Sequence, residues 1–298
     1  MQSLGTVVER HWDLDHVVPG PVLQRFPTRT VVSIRSDQGS FVVKAYENAW
    51  ALGLVRPSPT EIDRCLYVFD YLAMKGFRHA PSLLKTSAGD RFLRTEGTTF
   101  YILERIEGSR PPATTETWAE LGRLAKLLNM YNDFPYDYPI SVAGTIAELT
   151  RKAERYPFRT DFLHLVSTLE ILADQPACLI HGEINLANSV MSPHGRISIL
   201  DWDQAGTGPW ALDAGYPLIT TFLSEDLAFD AGSASAFYGS WGARQGMSAD
   251  RQELIFTAAL LHALRYLEFG DPARRWARIQ YALAHKDELL SALDTPDS

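Results

Sequence analysis

The chain is poor in cysteine. Cys65 and Cys178 are the only two, each is followed by apolar residues, and neither has a Cys-x-x-Cys or Cys/His neighbourhood. That pattern excludes a disulfide framework, gives no zinc site, and reads as a pair of core thiols. Long apolar runs are missing as well: no uninterrupted stretch of about 18 residues could cross a bilayer, so no membrane partner is expected. The opening MQSLGTVVERHWDLDH carries acids early and has no apolar core, which is unlike a secretory signal. The cytoplasm is the expected compartment. Positive charge is also in short supply, with 28 Lys and Arg against 36 Asp and Glu and a formal charge of −8. Nucleic-acid affinity rests on basic residues neutralising phosphates, so no nucleic-acid partner is expected. The acidic balance suits a cationic substrate, and it suits an ordinary soluble enzyme equally well.

What is present is globular. The 298 residues are 46% hydrophobic and 21% charged, without internal repeats or low-complexity tracts. Phe26 to Ser33 and Ser40 to Tyr46 are β-prone runs joined by the turn sequence SDQG, which predicts a hairpin. A helix is predicted over PTEIDRCLYVFDYLAMKG, with Ser58 as cap, Pro59 in the first turn and Gly76 at the end. Arg91 to Arg94 and Thr98 to Glu104 read as further strands before the Gly/Pro-rich IEGSRPP, the best candidate boundary. Beyond it the period becomes helical. Thr117 and Glu120 have capping-box spacing, Leu121, Leu124, Ala125 and Leu128 share a face, and so do Phe256, Leu260, Leu264 and Leu267. The expectation is an α+β, two-lobed chain: a β-rich lobe over residues 1–105 and a larger helical lobe over 106–298.

The chemistry concentrates in CLIHGEINLANSVMSPHGRISILDWDQAGTGP. It holds Glu183, then Asn188 five positions on, then a short turn and the strand ISILD ending at Asp201. Phosphoryl transfer asks for a carboxylate to orient the attacking hydroxyl and for oxygen ligands to magnesium on the nucleotide phosphates. A carboxylate and an Asn on one loop, followed by an acid at the end of the next hairpin, supply those groups in that order.

This pattern resembles the HGDxxxxN loop and the (I/L)D(W/F)D strand end of aminoglycoside phosphotransferases and their choline-kinase-like relatives. Gly206, Gly208, Pro209 and Asp213 are similar to that family's GPxxxD continuation, and YILERIEG resembles its spore-coat-associated members. The resemblance implies a protein-kinase-like fold and a kinase of small hydroxylated molecules, antibiotic or metabolite, using ATP or GTP with Mg2+, as a monomer or homodimer. It implies that Glu183, Asn188 and Asp201 are catalytic and that Asn188 and Asp201 hold the metal. It also implies that Lys44, in FVVKAY, contacts the nucleotide phosphates, and that the hinge segment ILERIEG brings Glu104 and Ile106 to the nucleotide. Glu61 is either the ion-pair partner of Lys44 or the glutamate of a capping box begun by Ser58, with Asp63 as its competitor for Lys44. Asp203 reads as a supporting acid. His181 and Asp213 are expected to brace the loop, and His262, in an apolar helix, to be a core or interface histidine.

Two departures stand out. The turn RFPTR lacks the glycines that would cradle phosphates, leaving Thr28 or Arg29 to reach them by side chain. Glu183 stands where the family has Asp, one methylene or about 1.5 Å longer, and misplacement by about 1 Å costs on the order of a hundredfold in rate. Either Glu183 serves a substrate seated farther back, or the chain is a catalytically weak nucleotide-binding module. A protein kinase fits less well, because the step from DWDQAGTGP to LDAGYPL leaves no room for an activation segment. For the acceptor, Glu225, Asp226 and Asp230 are candidates for a cation pocket or simply a solvated face, and Trp210, Tyr216, Trp241 and Tyr266 are candidates for ring stacking or for core.

Overall fold

The computed structural model describes residues 4–26, 29–47, 58–137, 141–243 and 247–293. The chain divides into two compact units, Met1–Ser109 with Val190–Gln204, and Arg110–Ser189 with Ala205–Ser298. The first unit therefore runs a few residues past the expected break and takes in a later hairpin.

The first unit opens with α1 (Leu4–His11) and the antiparallel strands β1 (Val18–Phe26), β2 (Arg29–Ser36) and β3 (Gly39–Glu47). After α2 (Pro59–Met74) come β4 (Leu83–Leu84), β5 (Leu93–Thr95) and β6 (Thr98–Glu104). The sheet order is β1-β2-β3-β6-β4, with β5 also paired to β6. Side chains alternate across a strand, and the register sorts them. One face sets Ile34, Val43 and Ile102 against Val8, Trp12, Leu14 and Val17 to form the core. On the other, Lys44 stands opposite Val31 and Tyr101, and Tyr46 opposite Arg29, so four polar side chains share one surface.

Helix α2 begins as its sequence dictates. The Ser58 hydroxyl accepts from the Glu61 N–H at 3.2 Å, and the Ser58 N–H donates to the Glu61 carboxylate at 2.6 Å, closing a capping box. The hairpin of β8 (Ser189–Met191) and β9 (Ile197–Ile199) is tied down within the first unit. Ile199 N–H donates to the His79 carbonyl at 2.7 Å, the His79 ring bonds the Ile197 carbonyl at 2.6 Å, and Trp202 meets Phe77 edge-on at 5.8 Å. Ser109 and Met191 exchange backbone hydrogen bonds at 3.1 and 2.8 Å. Gly108, at φ +154, makes that possible, since a Cβ there would lie 2.2 Å from the Met191 carbonyl oxygen.

The second unit is mainly helical: α3 (Thr115–Asn129), α4 (Val142–Lys152), α5 (Arg159–Thr168), α6 (Ala211–Thr220), α7 (Ala231–Tyr238), α8 (Ala249–Arg265), α9 (Pro272–Ala284) and α10 (Lys286–Ser291). Its strands β7 (Ala177–Ile180) and β10 (Gly206–Pro209) pair antiparallel. Helix α3 starts earlier than the expected Thr117 cap. Thr114 caps it, accepting from the Thr117 N–H at 3.3 Å, while Thr117 is buried and Glu120 pairs with Arg123. Thr114 and Thr117 compete to cap in ATTET, and the earlier one adds a turn of helix. Helices α6 and α8 approach closely at Gly215, where a Cβ would sit 2.6 Å from the Ala258 methyl. Phe256, Leu260, Leu264 and Leu267 are buried, as is Cys178, but Cys65 is only partly so. Among the described residues no helix is long and apolar enough to cross a membrane.

Candidate active site

In the first unit the polar face of the sheet meets the turn after β9. Lys44 Nζ lies 2.6 Å from Asp201 Oδ1 and 3.0 Å from Asp203 Oδ2, with Lys44 only 7% exposed. Arg29 reaches Asp201 at 3.4 Å and also bonds Tyr46 at 3.3 Å. The Tyr46 and Tyr101 hydroxyls both donate to Asp203. Burial alone would pull Lys44 down, but Asp201 and Asp203 outweigh it and hold its pKa above the ordinary value. Burial, with Asp203 beside them, pushes both tyrosines up, so they remain donors. The two acids differ. The Asp203 side chain is 1% exposed and saturated by Lys44 and two tyrosines, whereas Asp201 keeps 27% of its surface. Asp201 also sits at φ +65, a left-handed conformation that costs a non-glycine residue energy and recurs at functional positions.

In the second unit the loop after β7 is organised around its own backbone. The buried Asp213 carboxylate accepts from the His181 N–H at 3.1 Å and the Gly182 N–H at 2.6 Å. Burial pushes Asp213 up to about 6, with those two N–H groups pulling the other way. His181 Nδ1 accepts from the Glu183 N–H at 3.2 Å. The Glu183 carbonyl accepts from Asn185 at 3.1 Å and from Asn188 at 3.0 Å, and Asn185 Oδ1 accepts the Asn188 N–H at 2.9 Å. The Asn188 amide nitrogen is thus committed inward, which makes its carbonyl oxygen the end able to serve a cation. The Glu183 carboxylate takes a hydrogen bond from the Tyr266 hydroxyl. Tyr266 and Tyr216 stand at right angles with centroids 6.2 Å apart, and burial followed by Glu183 raises both, Tyr216 to about 12.

The structure thus brings Lys44 and Asp201 together in one unit, and Glu183 and Asn188 together in the other. Glu61 is engaged in the capping box and exposed, and Asp63 pairs with Arg91 at 2.7 Å, so neither is bonded to Lys44; Asp201 and Asp203 hold it instead. Capping satisfies Glu61 locally, three residues from Ser58, whereas reaching Lys44 would forfeit that bond. Glu104 closes β6, with its N–H given to the Ser82 carbonyl, and Ile106 follows two residues later, half-buried. Thr28 lies outside the described residues. His181 and Asp213 brace the loop as expected, and His262 is fully buried, bonding the Leu212 carbonyl at 3.0 Å. Sequence reasoning missed the bracing by Asn185 and the two tyrosines on Asp203. Strand register could have found the tyrosines, because Tyr101 pairs with Lys44 and Tyr46 is two residues beyond it. Among the described residues no group of three or more His, Cys, Asp or Glu is arranged to hold a metal. A metal here would rest on few protein oxygens completed by substrate phosphates, which is the habit of magnesium.

Solved structures with the same fold include kinases of small molecules. An aminoglycoside phosphotransferase from Alicyclobacillus acidocaldarius matches at TM-score 0.57 and 14% identity, covering 98% of this chain and 95% of that one. A spectinomycin phosphotransferase in complex with ADP and spectinomycin matches at 0.58 and 14%, with 98% of each chain covered. A choline kinase from Cryptosporidium parvum matches at 0.60 and 14%, covering 93% and 90%. By sequence no curated protein matches the chain. The fold is therefore protein-kinase-like, a sheet-bearing unit joined to a helical one. The model of the phosphotransferase enzyme family matches residues 28–254. The chain belongs to that family and is an enzyme, a phosphotransferase.

Proposed function

We propose that the chain transfers the γ-phosphoryl group of ATP or GTP to a hydroxyl of a small molecule. The observation that carries this reading is the pairing of buried Lys44 with partly exposed Asp201, inside a family match that also contains Glu183 and Asn188. Lys44 binds nucleotide phosphate oxygens, exchanging its present carboxylate partners for them, and Arg29 offers a second cation in place of a glycine cradle. Glu104 and Ile106 border the base. Magnesium, when bound, would take oxygens from Asp201 and from the Asn188 carbonyl and would neutralise charge on the phosphates.

Glu183 orients the acceptor. As the hydroxyl oxygen bonds to the γ-phosphorus, the bond from that phosphorus to the bridging β-phosphate oxygen breaks. The nucleoside diphosphate leaves with the electron pair, and the hydroxyl proton passes to Glu183 and on to water. The extra methylene of Glu183 carries its carboxylate to the Tyr266 hydroxyl, which fixes a side chain that would otherwise be too mobile to position anything. This supports a working glutamate over a degraded aspartate.

The test is thermal unfolding with ATP and with GTP, with and without magnesium, alongside mass spectrometry of hydroxylated small molecules incubated with the protein. Magnesium-dependent stabilisation and an acceptor heavier by one phosphoryl group are expected. Stabilisation without any product would leave a binding module, and no response to either nucleotide would sink the reading.

A further inference from the structure

The acids that suggested a cation pocket are already spoken for. Glu225 and Asp226 each pair with Arg274 at 2.9 Å, and Asp230 caps α7 through the Ser233 N–H at 3.0 Å. Beside that pairing the second unit has a cavity of about 90 Å³, lined by Glu225, Gly270, Asp271, Arg274, Arg275 and Arg278. Asp271 spends its Oδ1 capping α9, accepting from Ala273 at 2.9 Å and Arg274 at 3.4 Å. Glu225 is paired with Arg274, and the side chains of Arg275 and Arg278 form no ion pair or hydrogen bond among the described residues.

Two unpaired guanidiniums in one small cavity repel each other unless an anion joins them. Burial, and then Arg275, lower the pKa of Arg278, with Glu225 and Tyr216 opposing. The cavity is connected to the loop that carries Glu183 through one intervening turn. Its Gly270 wall follows the turn Tyr266–Glu268, and Tyr266 donates to Glu183. The Tyr216 hydroxyl accepts from Asn185 of the same loop at 3.1 Å. One residue before Tyr266, Arg265 buries its Nη1 with no hydrogen-bond partner. The elements on either side of Tyr266 therefore carry the arginines Arg265, Arg275 and Arg278.

We infer that Arg275 and Arg278 bind an anionic group of the acceptor, a carboxylate or phosphate, so that the substrate is a hydroxylated acid rather than a hydroxylated amine. A guanidinium pair suits such a group because each can give two parallel N–H bonds to its oxygens. The inference rests on the phosphotransferase reading above for the acceptor's hydroxyl, but the anion site can be tested without it.

Two acceptor sets of matched size, hydroxylated amines and hydroxylated carboxylates or phosphates, are offered to the full chain with nucleotide and magnesium, as wild type and as Arg275→Gln/Arg278→Gln. Transfer to an acid is expected, with KM raised at least about tenfold in the double variant and kcat little changed. Arg278→Lys, which keeps the charge and the stem, should recover much of the loss and so separates binding from packing. Transfer only to amines, or to an acid whose KM the double variant leaves alone, overturns the inference and leaves the kinase reading intact. If the wild type turns over no nucleotide at all, that reading fails instead, and inorganic phosphate serves as the probe. Thermal stabilisation by phosphate that the double variant loses keeps the anion site, and its absence removes it.

Discussion

The two halves of the candidate machinery are held by different physics. In the first unit Lys44, Arg29, Asp201 and Asp203 form a small, charge-balanced ionic network in which every link joins side chains. In the second the loop from His181 to Ser189 is held mainly through its backbone: Asp213 grips two N–H groups, and Asn185 and Asn188 grip one carbonyl. An ionic network can exchange partners when a polyphosphate arrives, since Lys44 needs an anion but not a particular one. A loop fixed by its own backbone has no such freedom. It holds one geometry in advance, which is what positioning a hydroxyl demands.

Breaking the network at its open end should have the largest effect. Asp201→Ala removes the strained, partly exposed acid while Asp203 keeps its two tyrosines and Lys44, so the fold should survive. We expect turnover to fall by about a thousandfold, on the scale of losing one electrostatic stabiliser, with the unfolding temperature little changed. Turnover near that of the wild type would remove Asp201 from the reaction.

The next effect tests whether the loop is as rigid as its bonds suggest. Tyr266→Phe deletes only the hydroxyl on Glu183, and Glu183→Asp retracts the carboxylate from the same hydroxyl. Each should lower kcat by about ten- to a hundredfold. The double variant should be no worse than the poorer single one, because both break one contact. Losses that multiply would mean that Tyr266 acts apart from Glu183.

Asp213 offers a pH measurement. Its pKa is raised from an unfolded value near 3.9 to about 6, so the folded state binds the proton more tightly between those values. Stability from this group is therefore full below the unfolded value and is lost as pH rises through about 6, on the order of 3 kcal/mol in all. Urea unfolding from pH 4 to 7 should show that slope, and Asp213→Asn, whatever it does to absolute stability, should flatten it. An equal slope in the variant would assign the effect to other groups.

What the sequence disclosed and what it hid follow from the same distinction of local from distant. Lys44, Glu183, Asn188 and Asp201 could be proposed as site residues because order and spacing along the chain single them out, and the Ser58 cap was legible because its partner is three residues away. The Tyr266 bond to Glu183 joins residues 83 apart, and no periodicity announces it. Glu225 and Asp226 looked like a free acidic face because Arg274 is far along the chain, 48 residues from Asp226. Strand β1 was hidden for another reason. VPGPVLQRF carries two prolines and a glycine that argue against a central strand, and it survives as an exposed edge whose register slips twice.

The smallest expected effect concerns Glu61, and it asks whether the ionic network is complete without it. In many kinase-like sites a helix glutamate holds the lysine; here two carboxylates from the turn after β9 already do so. Glu61 is solvent-exposed, and the Ser58 N–H donating to it holds its carboxyl below the usual range. If capping is its whole role, Glu61→Gln keeps an acceptor for that N–H and should leave kcat/KM within about twofold of wild type. The unfolding temperature should drop slightly, and less than for Ser58→Ala, which loses the hydroxyl that receives the Glu61 N–H. A large fall in kcat/KM at unchanged stability would instead mean that nucleotide binding frees Lys44 from Asp201 and hands it to Glu61, making the exchange in the first unit larger than a swap of carboxylate for phosphate.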